Sequence, residues 1–140
     1  MILLDTSGLL AALDASQRHH RTAAEALQKA RGPFLLSPFV LAELDYLLST
    51  RVNVDAELAL LEEVARGAYR LEPFDHDDVA AARDIVSRFD TLGIGLADAS
   101  IVVLADRYDI SEILTLDERH FRALRDARGR ALRLLPTDGA

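Results

Sequence analysis

Apolar and polar positions divide the chain into short, wholly apolar runs and longer amphipathic ones. Ile2 to Leu4 is too short for a helix and apolar throughout, as a strand covered on both faces is. Segments with helical spacing follow, around SGLLAALDA and RTAAEALQKA, and Gly32-Pro33 stops the second. FLLS predicts a second strand. The helix after it takes Ser37 as its cap and Pro38 as its first residue, where a missing N–H loses no bond, and is expected to run to about Ser49. DAELALLEEVARG predicts another helix, YRLEP a short strand, and DHDDVAAARDIVSRF a further amphipathic helix. The glycine-bearing loop TLGIG leads into the helix LADASIVVLADRY; EILTL then predicts a fourth strand, DERHFRALR a short helix and ALRLLP a fifth strand.

Strands alternating with helices imply right-handed crossovers and a parallel sheet covered on both faces, an α/β fold. No repeat or low-complexity linker interrupts the pattern, so residues 1 to 140 are expected to form one domain. A chain of this length buries roughly 70% of its unfolded surface and needs no cross-links. It has no cysteine, which excludes disulfides and thiolate metal sites. No basic segment precedes Asp5, and no apolar run reaches the roughly 20 residues of a membrane helix, so a soluble, cytoplasmic protein is expected, without a membrane partner. The net charge of −7 speaks against a polyanionic partner. Its distribution qualifies that: Arg119 to Arg133 holds six arginines against one acid, Asp126.

In parallel sheets, function gathers beyond the carboxyl ends of strands where strand order reverses. Asp5 lies at such an end, and a helix cap and a site residue are both open to it. Glu43 shares a helix face with Phe39, Val40, Tyr46 and Leu47, which predicts that it turns inward, where a carboxylate must be paired, protonated or metal-bound. Asp45 points elsewhere and reads as a solvated or locally bonded acid. Asp98 shares a face with Ile101, Val102 and Ala105; the helix dipole favours an acid at its position but does not account for its inward direction. Asp117 follows the fourth strand and could simply cap the next helix. In a sheet of order 3-2-1-4-5, however, it faces Asp5 across the switch point, with Glu43 and Asp98 entering from flanking helices.

Several carboxylates in one crevice require a compensating cation. The chain has a single lysine, Lys29, and oxygen-only ligation suits Mg²⁺, or Mn²⁺ in its place. Such a site activates water against a phosphodiester. Thr6, Ser7 and Thr115 are then hydroxyls that hold ligands or water, although Ser7 is equally placed to begin a helix.

DTS at the amino terminus, SPFVLAEL, GIGLADASIVVLADRY and ILTLDERHF resemble, in order and spacing, the acidic motifs of the PIN-domain nucleases, most closely the VapC toxins of VapBC toxin–antitoxin modules. The resemblance covers nearly the whole chain. It implies a three-layer α/β/α fold and a Mg²⁺-dependent endoribonuclease cutting structured RNA, tRNA or ribosomal RNA. It also implies a VapB-type antitoxin as partner, and a homodimer that forms a heterotetramer or larger complex with it. The family's metal-binding acids fall on Asp5, Glu43, Asp98 and Asp117, and the hydroxyl after the first acid on Thr6. The expected reaction is in-line attack of water, leaving a 5′-phosphate and a 3′-hydroxyl. Arg119, His120 and Arg122 follow the strand that carries Asp117 and are the candidates for touching RNA; all four histidines, His19, His20, His76 and His120, read as surface residues.

Other enzymes with acids at strand ends fit less well. A receiver domain needs a lysine after the fifth strand, and a haloacid dehalogenase-type phosphatase needs an aspartate where Ser7 stands. The alternative to a nuclease is a catalytically inactive PIN-like module that binds RNA or protein. Leucine-rich runs from Phe39 to Leu48 and Asp55 to Val64 suit a dimer or antitoxin groove, or simply the core.

Overall fold

The computed structural model describes residues 1–139. Five parallel strands, β1 (Ile2–Leu4), β2 (Phe34–Leu36), β3 (Arg70–Leu71), β4 (Glu112–Leu114) and β5 (Arg133–Leu135), form one sheet of order β3-β2-β1-β4-β5. The helices are α1 (Thr6–Leu13), α2 (His20–Lys29), α3 (Pro38–Arg51), α4 (Val54–Ala65), α5 (His76–Arg88), α6 (Leu96–Tyr108) and α7 (Glu118–Phe121), with a 3₁₀ turn at Asp90–Leu92. They flank the sheet in three layers, α/β/α. No helix among the described residues is long and apolar enough to cross a membrane.

β1 is central, and its Leu3 pairs with both Leu35 and Ile113. All three of its residues are buried, which is why it shows no alternation. The carboxyl ends of β1 and β4 therefore lie side by side, at the reversal of strand order. They are stitched together closely: Asp5 N–H donates to the Leu114 carbonyl at 3.1 Å. Gly8, on α1, sits so near β4 that a Cβ there would lie 2.4 Å from the Leu114 oxygen, so only glycine admits this approach.

α6 is the most deeply set helix, with every residue from Ala99 to Ala105 buried. α3 docks on it through its cap, since the buried Ser37 hydroxyl lies 2.6 Å from that of Ser100. That docking sets the rotation of α3 and corrects one expectation. Its buried stripe is Val40, Leu44 and Leu48, not the face of Phe39, Glu43, Tyr46 and Leu47. Glu43 is exposed and Tyr46 is 64% exposed. Apolar residues lie nearly all round this helix, so periodicity alone has little to choose a face with, although its four leucines cluster toward the buried side. α3 also runs past Ser49, because the Ser49 and Thr50 hydroxyls bond back to the Tyr46 carbonyl and leave the helix intact to Arg51. Asp45 is half-buried, its Oδ1 has no hydrogen-bond partner, and its proximity to Glu57 of α4 pushes the Glu57 carboxyl up.

The basic stretch is largely neutralised in place. Arg122 pairs with Glu118 and Asp138, Arg128 with Asp109, Arg130 with Asp126 and Asp109, and Arg133 with Glu112. Arg125 donates to the carbonyls of Arg122 and Leu124. Among the described residues Arg119 alone of the six makes no such bond, whereas Arg122, also expected to touch RNA, is held by Glu118 and Asp138.

Candidate active site

Asp5, Ser7, Glu43, Asp98, Asp117 and His120 line one crevice of about 420 Å³. It opens where β1 and β4 end, against the start of α6 and one side of α3.

Asp5 precedes α1 as a cap residue would, yet its side chain makes no capping bond. Its Oδ2 instead accepts from the Ser7 and Thr115 hydroxyls, each at 2.7 Å. The cap reading of Asp5 is thereby set aside. Ser7 has a second bond, since its Oγ accepts from the Leu116 N–H at 3.0 Å, tying α1 to the segment after β4. Thr115 also works twice, accepting from the Asp117 N–H at 2.9 Å. Thr6 is 4% exposed, and its Oγ1 has no hydrogen-bond partner. A buried hydroxyl without a partner is uncommon and calls for an explanation. This one lines the crevice.

Asp117 caps the next helix and also faces the crevice. Its Oδ1 caps α7 by accepting from the His120 N–H at 3.1 Å, while Oδ2 lies 2.8 Å from His120 Nδ1. Asp98, in the first turn of α6, brings Oδ2 to 3.8 Å from the same nitrogen. His120 Nε2 lies 3.0 Å from the Leu92 carbonyl, its acceptor across the ring. His120 is thus a half-buried wall of the crevice and not a surface residue.

The electrostatics are those of acids short of a counter-charge. Burial, then the neighbouring charges of Asp5, Asp117 and Glu43, pushes the Asp98 carboxyl up to about 6, with His120 only partly opposing them. Asp5 is likewise raised, chiefly by burial, although the hydroxyls of Thr115 and Ser7 favour its ionised form. His120 is raised by its hydrogen bond to Asp117 and by the charge of Asp98. Glu43 reaches the crevice from its exposed side of α3. It acts on Asp98 through charge, not through burial of its own.

The donor set fits a divalent cation: carboxylate oxygens from several elements, an unpartnered hydroxyl and one imidazole. Asp98, Asp117 and His120 each offer a ligand atom, all within 4.8 Å of one another. Two participants escape sequence reasoning. Gly8 is one, because its need for contact with β4 appears only in three dimensions. Arg51 is the other, a cation lining the crevice from the last turn of α3. Its spacing from Glu43, with Leu47 between, places all three on one helix side, a signal that was available in the sequence.

Residues 2–127 match the PIN domain family. Ribonuclease VapC26 of Mycobacterium tuberculosis is 46% identical over 135 residues, covering 96% of this chain and 100% of that protein. The crystal structure of VapC20 from the same organism, a sarcin-ricin loop cleaving toxin, superposes with a TM-score of 0.78 at 24% identity, over 84% of this chain and 90% of that one. VapBC2 of Rickettsia felis, bound to a DNA fragment from its promoter, gives 0.64 at 21% identity, over 96% and 97%. The two solved structures share the fold, and the family match and the near-half identity go further: this chain belongs to the PIN-domain family and, within it, to the VapC group.

Proposed function

We propose that the chain is a metal-dependent endoribonuclease, the toxin of a type II toxin–antitoxin module, which hydrolyses phosphodiester bonds of structured RNA, tRNA or ribosomal RNA, and so inhibits translation. One observation carries the reading. Carboxylates from β1, α6 and the β4–α7 turn meet in one crevice without a lysine or arginine paired to them, and the Asp98 carboxyl is pushed up to about 6. Such an arrangement weakens the fold unless a cation fills it. The relative VapC26, a ribonuclease by name, supports the same chemistry.

Asp5, Glu43, Asp98 and Asp117 are the residues to hold the ion, a divalent cation, Mg²⁺ or Mn²⁺. When bound, it supplies a Lewis acid for the phosphodiester and lowers the pKa of water. The protein's own work is placement. Ser7 and Thr115 fix the Asp5 carboxylate, the α7 cap fixes Asp117, and Thr6 keeps a free hydroxyl at the crevice wall. Arg51 and Arg119 are the cations available to phosphates of the bound RNA, and the products are a 5′-phosphate and a 3′-hydroxyl.

The chain acts as one domain in the cytoplasm. Its partner is a VapB-type antitoxin, bound by a toxin homodimer in a heterotetramer or larger complex. Tyr46, Val54, Leu58 and Leu61, exposed on α3 and α4, offer apolar surface for such contacts. The test is cleavage of total RNA by purified protein with Mg²⁺, repeated with EDTA and with Asp5→Asn. Cleavage is expected only in the first; undiminished cleavage in either control overturns the metal assignment. Absence of any divalent-ion binding by calorimetry would favour an inactive PIN-like binding module instead.

A further inference from the structure

We propose that the cation of this crevice is held by an imidazole nitrogen as well as by carboxylates, with His120 Nδ1 joining Asp98 and Asp117 as a ligand, and that the site consequently prefers Mn²⁺ to Mg²⁺. The inference rests on the metal-dependent reading above and deepens it.

Three observations carry it. The first is spacing. Neighbouring ligand atoms around an octahedral ion with bonds of about 2.1 Å stand roughly 3 Å apart. His120 Nδ1 lies 2.8 Å from Asp117 Oδ2 and 3.8 Å from Asp98 Oδ2, which brackets that value. The second is the far side of the ring, where Nε2 meets the Leu92 carbonyl at 3.0 Å. A carbonyl can only accept, so Nε2 carries a proton; Nδ1 donates to Asp117 in the cation-free protein, and its lone pair becomes available to an ion that displaces that proton from between them. A metal-ligating histidine is held in the same way, its other nitrogen donating to a carbonyl or carboxylate that fixes tautomer and orientation. The third is Thr6 Oγ1, a nearly fully buried hydroxyl without a partner on the wall of the same crevice, which needs something there to bond.

The consequence is selectivity. Mg²⁺ favours oxygen and retains its waters, whereas Mn²⁺ accepts imidazole more readily. His19, His20 and His76 do not line the crevice, so His120 is the only nitrogen of this kind at the site among the described residues.

The test is pulsed electron paramagnetic resonance of full-length protein loaded with Mn²⁺ at pH 8, together with calorimetric titration of Mn²⁺ and Mg²⁺ into wild type and His120→Asn. Expected are nitrogen modulation on the wild-type Mn²⁺ signal, its loss in the variant, and a fall of about tenfold or more in the Mn²⁺-over-Mg²⁺ affinity ratio. The wild-type spectrum, repeated with ¹⁵N-labelled histidine, decides the matter even if the variant does not fold. Mn²⁺ binding without histidine nitrogen coupling, at an affinity ratio unchanged in the variant, overturns the imidazole ligand and leaves the metal-dependent nuclease standing. No Mn²⁺ or Mg²⁺ binding by wild type overturns both.

Discussion

Two buried acidic sites in this molecule use the same residue types to opposite ends. Glu72, just past β3, is 4% exposed yet fully answered. It accepts from Arg70 at 2.9 Å, from Arg107 at 3.3 Å and from the Tyr108 hydroxyl, while Arg107 also reaches Asp78 at 2.8 Å. Although burial works to raise it, these partners hold the Glu72 carboxyl below its ordinary range. In the crevice Asp5 and Asp98 are raised, because burial and mutual repulsion outweigh the hydroxyls and the one histidine that attend them. A buried acid with its cation supplied by the chain locks strand to helix. One left without holds charge in reserve for something that arrives later, and the fold bears the cost in the meantime.

The comparison can be broken most forcefully at Glu72. Glu72→Ala takes from Arg70, Arg107 and Tyr108 their shared acceptor, leaving Arg107 to Asp78 alone, and is expected to remove roughly 2 kcal/mol of stability in urea denaturation, while RNA cleavage under native conditions stays intact. An unchanged midpoint would mean that the network holds nothing. Asp98→Asn should do the reverse, abolishing cleavage while stabilising the cation-free protein by about 2 kcal/mol at pH 8.

That gain depends on pH with a definite sign. Because the folded-state pKa of Asp98 is raised from 3.8 to about 6, the native state binds the extra proton between those values, and the penalty grows as pH rises through them. Wild type without cation should therefore become more stable as pH falls from 8 toward 5. It should lose stability at lower pH, as Glu72 and the other depressed acids take up protons. Adding Mg²⁺ should flatten the upper limb, and Asp98→Asn should remove the share of it that Asp98 contributes, leaving that of Asp5 and His120, which are also raised. A pH–stability curve indifferent to Asp98→Asn would show that the crevice carries no such strain.

Smaller effects sharpen the picture. Ser7→Ala leaves the Leu116 N–H without its partner and Asp5 with one hydroxyl fewer, and should cost about 1 kcal/mol together with a several-fold drop in cleavage rate. Arg119→Glu should lower the salt dependence of RNA binding by about one counterion. Arg122→Glu should change it less, since Arg122 is held by Asp138 and Glu118 in the free protein. Equal effects would place the RNA nearer to Arg122 than the ion pairs suggest.

Much of this was legible along the chain. The five strands followed from apolar runs and turn residues, which are local; the 3-2-1-4-5 order was supposed from doubly wound sheets and is the one observed, and with it Asp5 and Asp117 come to one crevice. Glu43 was singled out for a wrong reason. It lies at the crevice, but on an exposed side of α3: with Phe39, Ala42 and Tyr46 apolar on the sides away from the leucines, the helix does not announce which side is buried. His120 was read as a surface residue that might meet RNA, and its place between Asp117 and Leu92 required the loop before α6 to fold back over α7. The arginine-rich stretch looked like a basic patch because its acidic partners Asp109, Glu112 and Asp138 lie outside it.

By itself, then, the sequence determined the strands, the sheet order they permit and the acids delivered to strand ends, since period and capping depend on near neighbours. Which carboxylates remain without a counter-charge was decided only by the tertiary structure. Whether Glu72 meets Arg107, or Asp98 meets only other acids and a histidine, depends on contacts between residues far apart in the chain, and charge acts through space.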